Sequence, residues 1–146
     1  MKKLMLALGF GALLIITSCK TTKDASANLS IDYLTATAWE LTEINGKAVS
    51  TADFGNGAPT ATFTAEHKIN GKGGCNGYGG AWNLNDEGGM NISEVMSTKM
   101  WCENAKGEND YFKALAEVTT AKVEKDKLTL MKGVNAVLVF KPAAAK

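Results

Sequence analysis

NGKGGCNGYGG, residues 70 to 80, holds six glycines, two asparagines and one cysteine in eleven positions. A stretch so poor in side chains can cradle a phosphate, present a reactive thiol, or let two pieces of backbone pass close together. A Walker-type phosphate loop requires Gly-Lys followed by Ser or Thr at the opening of a helix. Here Gly73 follows Gly71-Lys72, and the pattern beyond is that of a strand. A reactive Cys75 would need a base or a positive field to lower its pKa. The one histidine, His67, lies eight residues upstream, beside Glu66 in what reads as an exposed turn. There is no CxxC and no third residue placed to orient an imidazole. A zinc site from Cys75, Cys102 and His67 would lack a fourth good ligand. The sequence therefore implies no metal, no cofactor and no catalytic residue here. The stretch reads instead as a tight structural crossing, where glycine tolerates positive φ and close backbone approach.

Outward from this crossing, short alternating runs dominate. Trp39 and Leu41 alternate with polar neighbours before Asn45-Gly46, a tight hairpin signal. Ala61 and Phe63, then Ile69, then Trp82 and Leu84 continue the period of two, and NDEGG turns the chain into Met90 and Ile92. Val123, Leu128 and Leu130 follow, and KGVN leads into AVLVF, residues 136 to 140. That last run is apolar on both faces, as expected of a strand covered on both sides. One segment breaks the pattern: Tyr111, Phe112, Leu115 and Val118 fall on a helical stripe, with Asn109 or Glu108 as the expected cap. The expected fold class is α+β. About seven or eight short antiparallel strands form a strongly curved sheet or incomplete barrel, with one helix packed on it.

The amino-terminal end has a different character. Lys2 and Lys3 precede an uncharged apolar run of thirteen residues, Leu4 to Ile16. A membrane-spanning helix needs about 20 residues, whereas a secretory h-region runs about 7 to 15. The run ends at Ile16-Thr17-Ser18-Cys19, which resembles the lipobox of bacterial lipoproteins. The alternative is an ordinary signal peptide with a coincidental cysteine. The resemblance implies a signal peptide over residues 1–18 and a Cys19 that carries diacylglyceryl and N-acyl groups, palmitate among them. Two or three acyl chains anchor a protein where one does so only marginally. Lys20, where an aspartate would signal inner-membrane retention, resembles the outer-membrane pattern. KTTKDAS holds one acid, Asp24, which favours the periplasmic face and leaves the cell surface as the alternative. Residues 19–36, rich in Thr, Ser, Ala and Lys, read as the lipidated cysteine and a flexible tether, and residues 37–142 as one small domain.

The chain contains 16 lysines, no arginine and 15 acids. Scattered lysines without guanidinium forks argue against a nucleic-acid partner. With Cys19 consumed by lipid, Cys75 and Cys102 remain in an oxidising compartment. A disulfide between them would close a loop of 27 residues, worth about 3.5 kcal/mol in the chain-entropy model. Two buried free thiols are the alternative.

Several features occur in one order: Trp39-Glu-Leu, Ala61-Thr-Phe63, Ile69-Asn-Gly71, GGCNGYGG, STKMWC at 97 to 102, YFKAL, LTL and a final LVF. This order resembles the META domain of the HslJ-like heat-shock lipoproteins. Gly74-Cys75-Asn76 followed by Ser97-Thr98-Lys99-Met100 and Cys102 is its most specific part. The resemblance implies a small α+β domain with a curved antiparallel sheet, in envelope proteins some of which are linked to heat shock or drug tolerance. It carries over no catalytic residue. Trp101 stands where smaller residues are common in that family. Asn76, Ser97 and Thr98 are expected to satisfy backbone groups at the crossing.

Two functions emerge as expectations. One is a non-enzymatic, monomeric interaction module, tethered to the bilayer through Cys19 and touching an envelope protein, under stress among other conditions. The other is a domain that binds a small apolar ligand or lipid. Its candidate slot is lined by Trp82, Met96, Met100, Trp101 and Phe112, each of which also suits ordinary core.

Overall fold

The computed structural model describes residues 31 to 144. The expected signal peptide, Cys19 and the greater part of the expected tether lie outside the described residues. The chain runs through α1 (residues 31 to 36), then β1 (Ala38–Ile44), β2 (Lys47–Ala48), a 3-10 turn (Thr51–Phe54), β3 (Thr60–Phe63) and β4 (Lys68–Lys72). β5 (Gly77–Leu84), β6 (Met90–Ser97), α2 (Lys106–Ala116), β7 (Thr120–Val123), β8 (Leu128–Lys132) and β9 (Asn135–Pro142) follow. All the strand pairs are antiparallel, in the order β6-β5-β4-β3-β1-β9-β8-β7, with β2 added to β1. The fold is α+β with an open, curved sheet of nine strands. The two edges approach at one end, where Gly89 bridges Thr120 and the Met90 amide donates to the Thr119 carbonyl at 2.9 Å.

Alternation builds the core. Trp39, Leu41, Ala61, Phe63, Ile69, Leu128, Leu130 and Phe140 all face inward and are buried. Asn45 and Gly46 take φ of 49° and 75° at the β1–β2 turn, the left-handed pair that a two-residue hairpin needs. α2 lays Tyr111, Ala114 and Leu115 into this core. The Tyr111 ring meets Tyr78 of β5 at 5.8 Å and Phe140 of β9 at 6.4 Å, both edge-on. One side chain thereby joins two arms of the sheet that are far apart in strand order.

Three local readings differ from the sequence expectation. The apolar run 136 to 140 does not come from a strand buried on both faces. β8 pairs Leu130 with Leu138 and Met131 with Ala136, so Val137 is the extra residue of a bulge. The bulge turns Val137 and Leu138 inward together, while Ala136 stays exposed. The helix begins earlier than its expected caps: Ala105 is the N-cap, with no side-chain bond, and Glu108 lies inside the first turn. The described residues at the end of the expected tether are also ordered. Residues 31 to 36 are helical and Leu34 is fully buried. The Trp39 indole donates to the Leu34 carbonyl at 3.1 Å, satisfying a buried donor that needs a partner.

Candidate functional site

The glycine stretch turns from β4 into β5 and passes beneath α2. Cβ atoms are excluded there by close backbone contact. At Gly71 one would collide with the Thr60 carbonyl. At Gly74, which sits at φ 122°, one would come within 2.6 Å of the Phe54 carbonyl. Cys75 and Cys102 are joined by a disulfide, with Cα atoms 5.9 Å apart. Cys75 is therefore neither a thiol nucleophile nor a zinc ligand. His67 lies in the β3–β4 turn with φ 59°, exposed, its ring 5.1 Å from that of Trp82 and its Nδ1 3.3 Å from the Trp82 carbonyl.

Next to the disulfide is a buried polar clamp. Asn76 donates from its backbone N to Glu108 Oε1 at 2.6 Å and from Nδ2 to Glu108 Oε2 at 2.7 Å. Its Oδ1 accepts from Thr98 Oγ1 at 2.8 Å and from the Met100 amide at 2.7 Å. Nδ2 also lies 3.3 Å from the Met100 carbonyl. Both Asn76 and Glu108 are buried. A buried carboxylate is costly unless it is hydrogen-bonded. Here Glu108 accepts two short bonds and sits in the first turn of α2, where the helix dipole favours negative charge. Thr98 is tied again through its amide, which donates to Gly77 at 3.0 Å. Ser97, by contrast, only continues the strand ladder opposite Tyr78.

A second buried pair joins Tyr78, within the glycine stretch, to Tyr111 of α2. Tyr111 Oη donates to Tyr78 Oη at 2.6 Å, and Tyr78 Oη donates to the Thr60 carbonyl at 3.0 Å. Burial pushes the Tyr78 phenol well above its ordinary pKa, partly offset by the Tyr111 hydrogen bond. Burial does the same for Tyr111, and the neighbouring Tyr78 adds to it. Both hydroxyls stay protonated and bonded, so the pair is a fixed strut.

What the clamp holds is a surface. The large hydrophobic side chains that stand exposed among the described residues are Val95, Met96, Met100, Trp101 and Val134. Four of these five fall between residues 95 and 101. Met96 is 78 %, Met100 58 % and Trp101 86 % exposed. The other two residues of the expected ligand slot lie elsewhere. Trp82 is buried against Phe63, ring to ring at 5.6 Å, and Phe112 packs against Tyr78 at 5.5 Å. The five residues of the expected slot do not converge on one cavity. Three of them stand exposed within residues 96 to 101, a segment called the platform below, and two are packing.

The role of Glu108 went unread in the sequence, although a signal was there. It stands three and four residues before Tyr111 and Phe112, on the face that the helical period turns inward. The platform had no such signal, because exposed and buried methionines read alike in a sequence.

A groove of about 410 Å³ lies between the β1–β2 hairpin and the start of α2, lined by Val49, Phe54, Lys47, Asp53, Lys106 and Asp110 among others. Its mixed charges pick out no single ligand class.

Among solved structures, the fold is similar to that of a Burkholderia xenovorans protein determined by NMR. The two are 22 % identical with a TM-score of 0.63, over 96 % of this chain and 100 % of that one. A second NMR structure is 24 % identical, with a TM-score of 0.59, over 76 % and 92 % of the two chains. A DUF4847 family protein from Bacteroides vulgatus, solved by crystallography, is 15 % identical with a TM-score of 0.59, over 80 % and 99 %. At these identities the likeness is one of fold. No curated protein sequence matches the chain. The META domain model matches residues 32–145, from α1 to beyond β9. This chain belongs to the META domain family.

Proposed function

We propose that the protein is a lipid-anchored envelope module of the outer membrane that works by contact rather than by catalysis, with the segment from Met96 to Trp101 as its working surface. The observation that carries this reading is the pairing of exposure with rigidity. Large apolar side chains on a monomer's surface are ordinary when scattered, but a contiguous set marks an interaction site. Here the segment is tied through Thr98 and the Met100 amide to Asn76 at 2.8 and 2.7 Å, Asn76 is itself held by Glu108, and the residue that follows the segment, Cys102, is disulfide-bonded to Cys75. A preformed surface binds without the entropic cost of ordering flexible side chains and loops. The buried polar groups beneath it are spent on one another, which is structural work. The anchor is Cys19, the orientation periplasmic, and the occasion envelope stress, in keeping with the sequence. Among the described residues no helix is long and apolar enough to cross a membrane, and in this reading the acyl chains hold the protein to the bilayer.

A photo-reactive residue placed at position 101 in the full-length chain tests the reading in cells. Position 134, 93 % exposed on the β8–β9 turn, serves as the control. A discrete adduct from 101 and none from 134 supports the working surface. Equal labelling from both sites, or none from either, rules it out. Labelling with a palmitate analogue, lost in Cys19→Ser, tests the anchor separately.

A further inference from the structure

We infer that the Met96–Trp101 platform docks on the lipid bilayer itself, a second contact added to the lipid anchor at Cys19; the inference rests on that anchor. Ile31, the first described residue, is twelve residues on from Cys19. Twelve residues reach at most about 40 Å. The domain is about 35 Å across by the usual size scaling. At that reach the anchor leaves the domain freedom to turn, and among the faces it can present, the one that gains most from leaving water is the one that settles there. Met96, Met100 and Trp101 are the strongly exposed apolar side chains gathered in one short segment, whereas Val95 is only 37 % exposed and Val134 stands alone on its turn.

The chemistry fits the boundary between headgroups and acyl chains. Tryptophan is enriched at that depth because its ring is apolar and its indole N–H is polar. Methionine adapts to irregular apolar surroundings. Lys99, between the two methionines in sequence and exposed, can bury its stem and keep its ammonium in water. The clamp adds a mechanical requirement. Inserting a loop costs least when the loop is already fixed, and Met100 is held by Asn76 through its amide while Cys102 is bonded to Cys75. The charged groups on the segment are Glu94, Lys99 and Glu103, all exposed. One cation against two anions gives no net attraction to anionic lipid. The contact draws on apolar burial, so it does not need anionic lipid and does not weaken as salt rises.

The test uses the mature, lipidated protein in protein-free vesicles of phosphatidylethanolamine and phosphatidylglycerol, with acyl chains brominated at shallow or deep positions. Flotation with the vesicles reports the anchor. Of the three tryptophans, Trp39 and Trp82 are buried, and subtraction of the Trp101→Phe spectrum isolates Trp101. The expected result is quenching of Trp101 by at least about twofold, stronger from shallow bromines, as suits a side chain seated about 5–10 Å into the boundary. The same quenching is expected in phosphatidylcholine vesicles and at high salt. Met96→Ser with Met100→Ser should abolish it while leaving flotation and melting unchanged. Protein that floats with Trp101 still in water overturns the docking and leaves the anchor standing. Shielding seen only in native membranes, and not in protein-free vesicles, overturns it in favour of a protein partner. Failure to float, with unmodified Cys19 by mass, overturns anchor and docking together.

Discussion

Strand β6 contains two regions with different reasons for their shape. Its first three residues alternate: Met90 and Ile92 are buried and Asn91 is exposed. They pair with Leu84, Trp82 and Asn83 on one side, and Met90 reaches Thr119 on the other. The last five residues, Ser93 to Ser97, are all exposed, and the pairing shifts register opposite Gly80, with Glu94 at φ 55°. A hydrophobic pattern folds the first part. The second part is kept in place by the segment just beyond it, where Thr98 and Met100 are bonded to Asn76 and Cys102 is bonded to Cys75. Order in this protein thus comes from two sources, burial along the alternating strands and a polar, covalent clamp along the platform. Only the clamp leaves apolar side chains free to face outward.

The largest test of that division is covalent. Cys75→Ser with Cys102→Ser should lower stability by about 3.5 kcal/mol in the chain-entropy model, measured by urea unfolding. In the same variant, backbone amide exchange should accelerate between residues 98 and 105 and change little in residues 90 to 92. Equal acceleration in both parts would mean that the two regions are one cooperative unit. Glu108→Ala should cost about 3 kcal/mol, since it leaves two buried donors of Asn76 unpaired at about 1–3 kcal/mol each. Glu108→Gln, which keeps one acceptor, should recover about half of that loss. A cost as small as that of a surface mutation would show that water replaces the carboxylate and that the disulfide alone is the clamp.

The tyrosine pair sharpens the contrast by pH. The phenols of Tyr78 and Tyr111 are raised by burial, so the folded protein keeps their protons where the unfolded chain, near pKa 10, begins to lose them. The unfolded state then binds fewer protons, and stability falls as pH rises above about 10. Below that pH the contribution is fully present. Tyr111→Phe should cost about 1 kcal/mol at neutral pH for the lost hydrogen bond and reduce the alkaline slope by about one proton. An unchanged slope would place the alkaline sensitivity elsewhere. The smallest effect is expected on the platform. Trp101→Ser should change stability by no more than about 0.5 kcal/mol, in either direction, because the indole touches mainly solvent. A loss well beyond that would make Trp101 part of the packing and undo the comparison.

The parts legible in sequence were those governed by period and turn chemistry. Trp39 and Leu41, Ala61 and Phe63, Leu128 and Leu130 announced strands by alternation, and Asn45-Gly46 announced its hairpin by the conformation those residues tolerate. Tyr111 and Leu115 announced α2. Features set by contacts across the chain were not legible. The bulge at Val137 mimicked a strand buried on both faces, because a register shift and a double burial leave the same apolar string. The pairing of Asn76 with Glu108 joins residues 32 apart, and no local pattern encodes that distance. Met96, Met100 and Trp101 carried the right composition for a slot, but all three stand exposed in the structure.

The position of β1 in the sheet has a mechanical consequence. The chain enters the domain through α1 into β1, which is flanked by β3 on one side and β9 on the other, whereas the platform begins at the end of β6, an outermost strand, and runs on into the segment just beyond it. A pull delivered through residue 31 therefore loads β1 in shear against two ladders at once, so their bonds must fail together. A pull delivered through the platform peels an edge strand, whose bonds can fail one after another until the strain meets the disulfide. Under tension between residue 31 and the segment beyond β6, the single ladder that holds β6 gives way before the two that hold β1.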